Sequence, residues 1–254
     1  MLDLPVFIIL CGAAIVANCI AVPRLVAYSG FFRDIRTTRL SQLSALTKAL
    51  TLSLGACAIG AYMAPRAGLS APVLESIIRF DKPHLALFHQ LWPAFVSAFF
   101  ILLGLMLLQL LFGRRHVSAA HYFSMPLTAK VLAEGVVEEI VYRWGLMSAL
   151  ARIFTRELLT DPNEAMIAAI ILAAVASSLV HIADLARVNF NRLSMAAVAI
   201  VLVHFWGALY YGWLFWQYGL TAAIICHVLV IFISVGVYRM LRLFDLREES
   251  ARGF

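Results

Sequence analysis

The sequence predicts an all-α fold, a polytopic membrane helix bundle of about seven transmembrane helices. Three observations carry that expectation. Hydrophobic residues fill 63% of the 254 positions and charged residues only 13%, where a soluble domain holds about a half and a quarter. The mean hydropathy is +0.91. The apolar residues gather in stretches far too long for barrel strands, and lipid offers their backbone groups no partner, so they satisfy one another as helices.

The apolar stretches fall at about 4–22, 42–63, 85–112, 130–153, 164–183, 194–216 and 218–241, each close to the ~20 residues that cross a bilayer. The first, within MLDLPVFIILCGAAIVANCIAV, lacks a basic leader and a cleavage site, so it reads as a retained span rather than a removed signal. After it, FFRDIRTTRL (31–40) mixes aromatics with arginines. After the second span, GLSAPVLESIIRF (68–80) places Leu74, Ile77 and Ile78 on one helical face. Both segments suit either an interfacial position on the headgroups or an anchored loop. No stretch is long and polar enough for a separate soluble domain, and no repeat or low-complexity tract is present, so residues 1–254 are expected to form one membrane domain.

The net charge is +6. No basic run with interleaved aromatics is present, which argues against nucleic acid as a partner. The basic residues read instead as an orientation signal. Twelve arginines, from Arg24 to Arg252, fall on the side of the first loop, against five basic residues on the other side (Arg66, Arg79, Lys82, Arg152 and Arg156). Basic loops stay in the cytoplasm, so the expected topology is N-terminus outside and C-terminus inside, in a cell membrane. The four cysteines (Cys11, Cys19, Cys57 and Cys226) sit within apolar spans without a CxxC spacing and read as small hydrophobes rather than disulfides or metal ligands.

The fourth stretch, AEGVVEEIVYRWGLMSAL, carries the chemistry. Glu134, Glu138, Glu139 and Arg143 lie within three turns of a helix otherwise apolar enough to span. Each ionisable residue near mid-span costs roughly 2.5–3.5 kcal/mol on the insertion scale. Four unpaired ones would cost on the order of 10 kcal/mol, the size of a whole domain's stability. Glu139 and Arg143 are four apart in the order that favours an ion pair, while Glu134 and Glu138 share another face about 100° away. That pairing leaves Glu138 without a cation of its own, a carboxylate placed for general-base work. Three histidines join from other spans: His181 in SSLVHIADL, His204 in LVHFWGAL and His227 in IICHVLVIF. Taken singly, a histidine in a span is more often a packing residue than a catalyst. In the expected topology Glu138 lies about 12 Å into its span, and the histidines lie between mid-membrane and the cytoplasmic end. A shared site is therefore sterically open.

These residues resemble a known family. Glu138-Glu139-x-x-x-Arg143, then His181 closing a small-residue apolar helix, then YGLTAAIICHVLV with His227, are similar to the CAAX prenyl protease type II family and its bacteriocin-processing and immunity-type relatives. The likeness runs over about residues 125–235, so 126–240 is expected to hold the protease-like core helices and 1–125 variable N-terminal spans. The resemblance implies an intramembrane endopeptidase of glutamic type, without cofactor or obligatory metal. It acts on a membrane-associated or lipidated peptide or protein substrate in the bilayer. It implies catalytic roles for Glu138, which activates water, His181, which assists or donates a proton, and His227, which stabilises the oxyanion. Glu139 and Arg143 support the first glutamate. Two positions depart from the family pattern: Ser177 stands where phenylalanine is usual, and Ile231 where asparagine or aspartate is usual. His204, then Ser234 and Asp184, are the candidates to replace the missing donor.

Three other readings remain. A zinc hydrolase would use the three histidines and a glutamate, although no HExxH is present. A catalytically weak or inactive member would act as a membrane scaffold or immunity-type binder, which Ile231 favours. A proton- or ion-coupled transporter would also place carboxylates in the membrane, but the paired broken helices of such folds are missing.

Overall fold

In the computed structural model, residues 3–32, 38–112, 125–158, 161–186 and 195–252 are described. Eight helices and no strand are present among them: α1 (Leu4–Phe32), α2 (Arg39–Met63), α3 (Pro72–Arg79), α4 (Pro83–Phe112), α5 (residues 127–158), α6 (Pro162–Ala186), α7 (Met195–Tyr218) and α8 (Leu220–Arg252). Seven are long, one for each apolar stretch of the sequence. Among the described residues five helices are long and apolar enough to cross a membrane, those of α1, α2, α4, α6 and α8. The fourth stretch, α5, holds Lys130, Glu134, Glu138, Glu139 and Arg143 in its first half, which lowers its hydropathy. The chain is an integral, multi-pass membrane protein.

Local chemistry sets the helix ends. Asp3 accepts from the Val6 N–H at the start of α1, Thr38 from the Ser41 N–H at the start of α2, and Asp161 from the Asn163 N–H before α6, each satisfying a donor with no partner in its own helix. Between α7 and α8 a single residue turns the chain. Gly219 has φ 100°, where an L side chain is strained, and a Cβ there would also collide with Pro72.

α3 does not float as a separate interfacial helix. Val73 is buried, and Leu74 and Ile78 pack on the core, so α3 closes one end of the bundle against α1, α4 and α8. Ile77 and Phe80 point outward, Phe80 at 93% exposure. Leu74, Ile77 and Ile78 therefore divide between two environments. Half of FFRDIRTTRL (residues 33–37) lies outside the described residues.

α5 is the hub. It packs on α1, α2, α6 and α8, and small residues allow the approach. Gly145 lies against Ala56 of α2, Gly60 of α2 against Trp144, and Gly135 against Val228 of α8; a Cβ at any of the three would overlap its neighbour. Close backbone approach through small residues is how helices associate in lipid. Trp144, Ile140, Met147, Leu214 and Phe215 fill the core beside it. Large apolar side chains such as Ile8, Leu52, Phe88, Trp92, Phe99 and Ile171 cover the outside, as a lipid-facing surface requires. Cys57 and Cys226 are buried, Cys11 is half-buried and Cys19 is exposed; all four are free thiols. The expectation of four buried cysteines holds in full only for Cys57 and Cys226.

Candidate active site

Through Val131–Met147, α5 is wound with wider i→i+5 turns, a geometry that is rare and concentrated at functional sites. This stretch carries Glu134, Glu138, Glu139 and Arg143. Consecutive residues on a helix diverge by about 100°, so Glu138 and Glu139 address different partners. Glu138 faces α6, where its Oε1 lies 3.8 Å from Nε2 of His181. Glu139 faces α8, where its Oε1 lies 2.8 Å from Nδ1 of His227. An ionised carboxylate only accepts, so the ring N–H on Nδ1 is the donor. The other oxygen of Glu139 is 3.4 Å from Nε of Arg143. Both members of that ion pair are buried, with side chains 1% and 3% exposed.

His227 is therefore held by Glu139, not by Glu138. The sequence suggests a chemical unit of Glu138 with His181 and His227, and a separate pair of Glu139 with Arg143. The structure keeps the Glu139–Arg143 pair and adds His227 to it, and places His181 beside Glu138. Gly135, one turn before Glu139, is the physical reason. Without a Cβ it lets Val228 seat against α5, which carries the neighbouring His227 to Glu139. Tyr211 of α7 completes this side, stacking on the His227 ring at 4.3 Å between centroids.

His204 of α7 stacks on His181 with centroids 3.6 Å apart and planes within 13°. All six residues singled out in the sequence, Glu138, Glu139, Arg143, His181, His204 and His227, line one cavity of ≈ 400 Å³ enclosed by α4, α5, α6, α7 and α8. Small residues hollow it out: Gly207 and Ala208 lie on α7, and Ser177 lies on α6, one turn before His181. The Ser177 hydroxyl donates to its own helix at Ala174 O, 3.0 Å away. Ile231, one turn beyond His227, is buried and presents only hydrocarbon to the cavity. Ser234 also lines the wall, whereas the Asp184 side chain lies outside the described residues.

Several cavity residues escaped the sequence reading. Lys130 is almost fully buried and sits 3.7 Å from Glu134; its i, i+4, i+8 spacing to Glu134 and Glu138 was the available signal. Tyr142 and Tyr211, on the same helix faces as Glu138 and His204, line the wall as well. Ile101, Leu105 and Met106 of α4 supply an apolar side that no sequence motif marks. Among the described residues no three His, Cys, Asp or Glu side chains converge closely enough to hold a metal ion. The stacking of His181 on His204 and the engagement of His227 by Glu139 point the imidazoles at different neighbours.

Carboxylates, imidazoles and a guanidinium gathered in a cavity inside a helix bundle define a class: a polytopic membrane protein with an internal polar site. Residues 120–233 match the family model described as type II CAAX prenyl endopeptidase Rce1-like. Over this stretch, a little under half of its length, the chain is similar to that family of membrane proteases. The match spans α5, α6, α7 and the first part of α8, the stretch that carries the carboxylates, the histidines and Arg143 of the cavity; α4 lies outside it. No curated protein and no solved structure matches the chain.

Proposed function

We propose that the chain is an intramembrane endopeptidase of glutamic type, hydrolysing a peptide bond of a membrane-associated or lipidated substrate with water activated by Glu138. The observation that carries this reading is the 3.8 Å separation of Glu138 Oε1 and His181 Nε2 at the cavity wall. It is too long for a direct hydrogen bond, and it suits a water lying about 2.8 Å from each atom.

Glu138 takes a proton from that water as the water oxygen bonds to the substrate carbonyl carbon and the C=O π pair moves to oxygen. His181 orients the water through its other hydrogen bond. His227, protonated on Nε2 in the reacting state with Glu139 as its counter-ion, donates to the oxyanion. Collapse re-forms the C=O bond and breaks the C–N bond, and the proton on Glu138 passes to the departing amine. Fixed donors in a site screened from water are effective at this work. The carboxylate of Glu139 is thus assigned to His227 and Arg143, rather than to holding Glu138 in place. The apolar wall of Ile101, Leu105 and Met106 supports a hydrocarbon-rich substrate segment. Helices α5 to α8 form the catalytic core and α1 to α4 its support. The N-terminus lies outside and the C-terminus inside a cell membrane.

Purified protein incubated with lipidated and unlipidated peptides tests the reading. Glu138→Gln and His181→Ala should each lower turnover about 10²–10⁴-fold, the usual contribution of a positioned acid–base group. Cleavage unchanged in both variants would overturn it. One observation favours a second reading, a non-catalytic membrane binder: the buried hydrocarbon of Ile231 beside His227. Glu138→Gln retaining full activity in cells would support the binder.

A further inference from the structure

We infer that His204 supplies the oxyanion donor that is missing at position 231, and so binds the substrate carbonyl directly; this rests on the endopeptidase reading above. Ile231 occupies the turn after His227 and has no polar atom in its side chain, which leaves His227 alone on α8 to meet the developing negative charge. Ser234 stands seven residues beyond His227, about 10 Å along the helix axis, too far to share one oxygen atom with it. His204 is in register. Its ring lies face to face with His181, with centroids 3.6 Å apart and 13° between planes.

Two rings stacked at that separation bring His204 to the same part of the cavity wall as His181. If His181 and Glu138 hold the attacking water, His204, one ring spacing from His181, stands beside the place where a substrate carbonyl comes to near-attack distance. That distance, about 3–3.5 Å, is the spacing of the reacting atoms before bond formation. The carbonyl therefore meets water from Glu138 and His181, and a donor N–H from His204 on α7. Gly207 and Ala208, which follow on α7, are small residues of the same cavity wall. In this chain the second oxyanion donor stands on α7, beside the His227 donor on α8. His204 is a catalytic residue under this assignment, not a packing partner of His181.

The test is a rescue experiment on the full-length protein in detergent or vesicles, with a cleavable peptide and Glu138→Gln as the inactive control. His204→Ala should lower kcat about 10²–10³-fold with KM nearly unchanged, the usual cost of one oxyanion donor. Ile231→Asn on its own is measured as the reference for the rescue. In the His204→Ala background it should restore kcat at least about tenfold, since an amide one turn beyond His227 returns the donor. His204→Gln, which keeps a donor but not the ring stack, should exceed His204→Ala. A residue that merely packs against His181 predicts no rescue from α8 and equal losses in the Gln and Ala variants. With melting temperatures matching the wild type, equal losses in Gln and Ala overturn the proposal, as does His204→Ala with kcat within threefold of wild type. If the wild type cleaves no better than Glu138→Gln, the endopeptidase reading falls, and this assignment with it.

Discussion

Removing Glu139 is the most informative single perturbation of the bundle. Its side chain is 1% exposed and serves two partners, Arg143 at 3.4 Å and His227 at 2.8 Å. Nε and Nη1 of Arg143 are buried and make no hydrogen bond among the described residues. Glu139→Met therefore strands a guanidinium inside the membrane. Breaking a buried pair in this way costs about 3–5 kcal/mol, and the insertion cost of one arginine at mid-span, roughly 2.5–3.5 kcal/mol, is of the same order. Neither member is exposed enough for solvent screening to reduce the figure. Glu139→Met/Arg143→Met removes both charges and should return stability to within about 1–2 kcal/mol of wild type, because hydrophobic replacement of a buried pair is nearly neutral. Activity should not return, since His227 has lost the acceptor on its Nδ1. Unfolding in mixed micelles, followed by tryptophan fluorescence, measures the first effect; Trp144, buried against Phe215, is adjacent to the lesion. Peptide cleavage measures the second. A single variant that loses less than about 1 kcal/mol, or a double variant as unstable as the single, would refute the account of Glu139 as the counter-ion that makes Arg143 tolerable.

Other consequences can be checked separately. Gly145→Leu drives a side chain into Ala56 across the α2–α5 contact and should destabilise the fold by about 1–3 kcal/mol, read by the same unfolding assay. The buried Asn18–Ser53 hydrogen bond, 3.0 Å long, ties α1 to α2; Ser53→Ala should cost only about 0.6 kcal/mol, the mean for such bonds in a membrane protein. Cysteines placed at Arg66 and Arg239, in a background with Cys11, Cys19, Cys57 and Cys226 replaced, should label from opposite faces of sealed vesicles, Arg239 from the cytoplasmic face. Labelling from one face would refute the proposed topology. Cleavage that survives strong chelators is expected of the glutamate mechanism, and its abolition with recovery on adding zinc would favour the zinc hydrolase.

The sequence alone determined the class of fold and named six of the side chains that line the cavity. Seven apolar stretches set the seven long helices, because hydropathy and length decide whether a segment satisfies its own backbone in lipid. The residues worth inspecting were equally plain, because ionisable groups in such segments are costly and stand out. Their pairing was not legible. Adjacent glutamates differ in role only through the helices they face, and the approach of α8 at Gly135, which brings His227 to Glu139, is a tertiary fact. The same holds for His204: it was one of three candidate donors in the sequence, and the stacking on His181 separates it from Ser234. The cavity's apolar wall on α4 was invisible because its leucines and isoleucines are the same in composition as those facing lipid. Hydrophobic sequence fixes that a helix is buried in apolar surroundings; only packing decides whether a given face meets lipid, a neighbouring helix or a substrate.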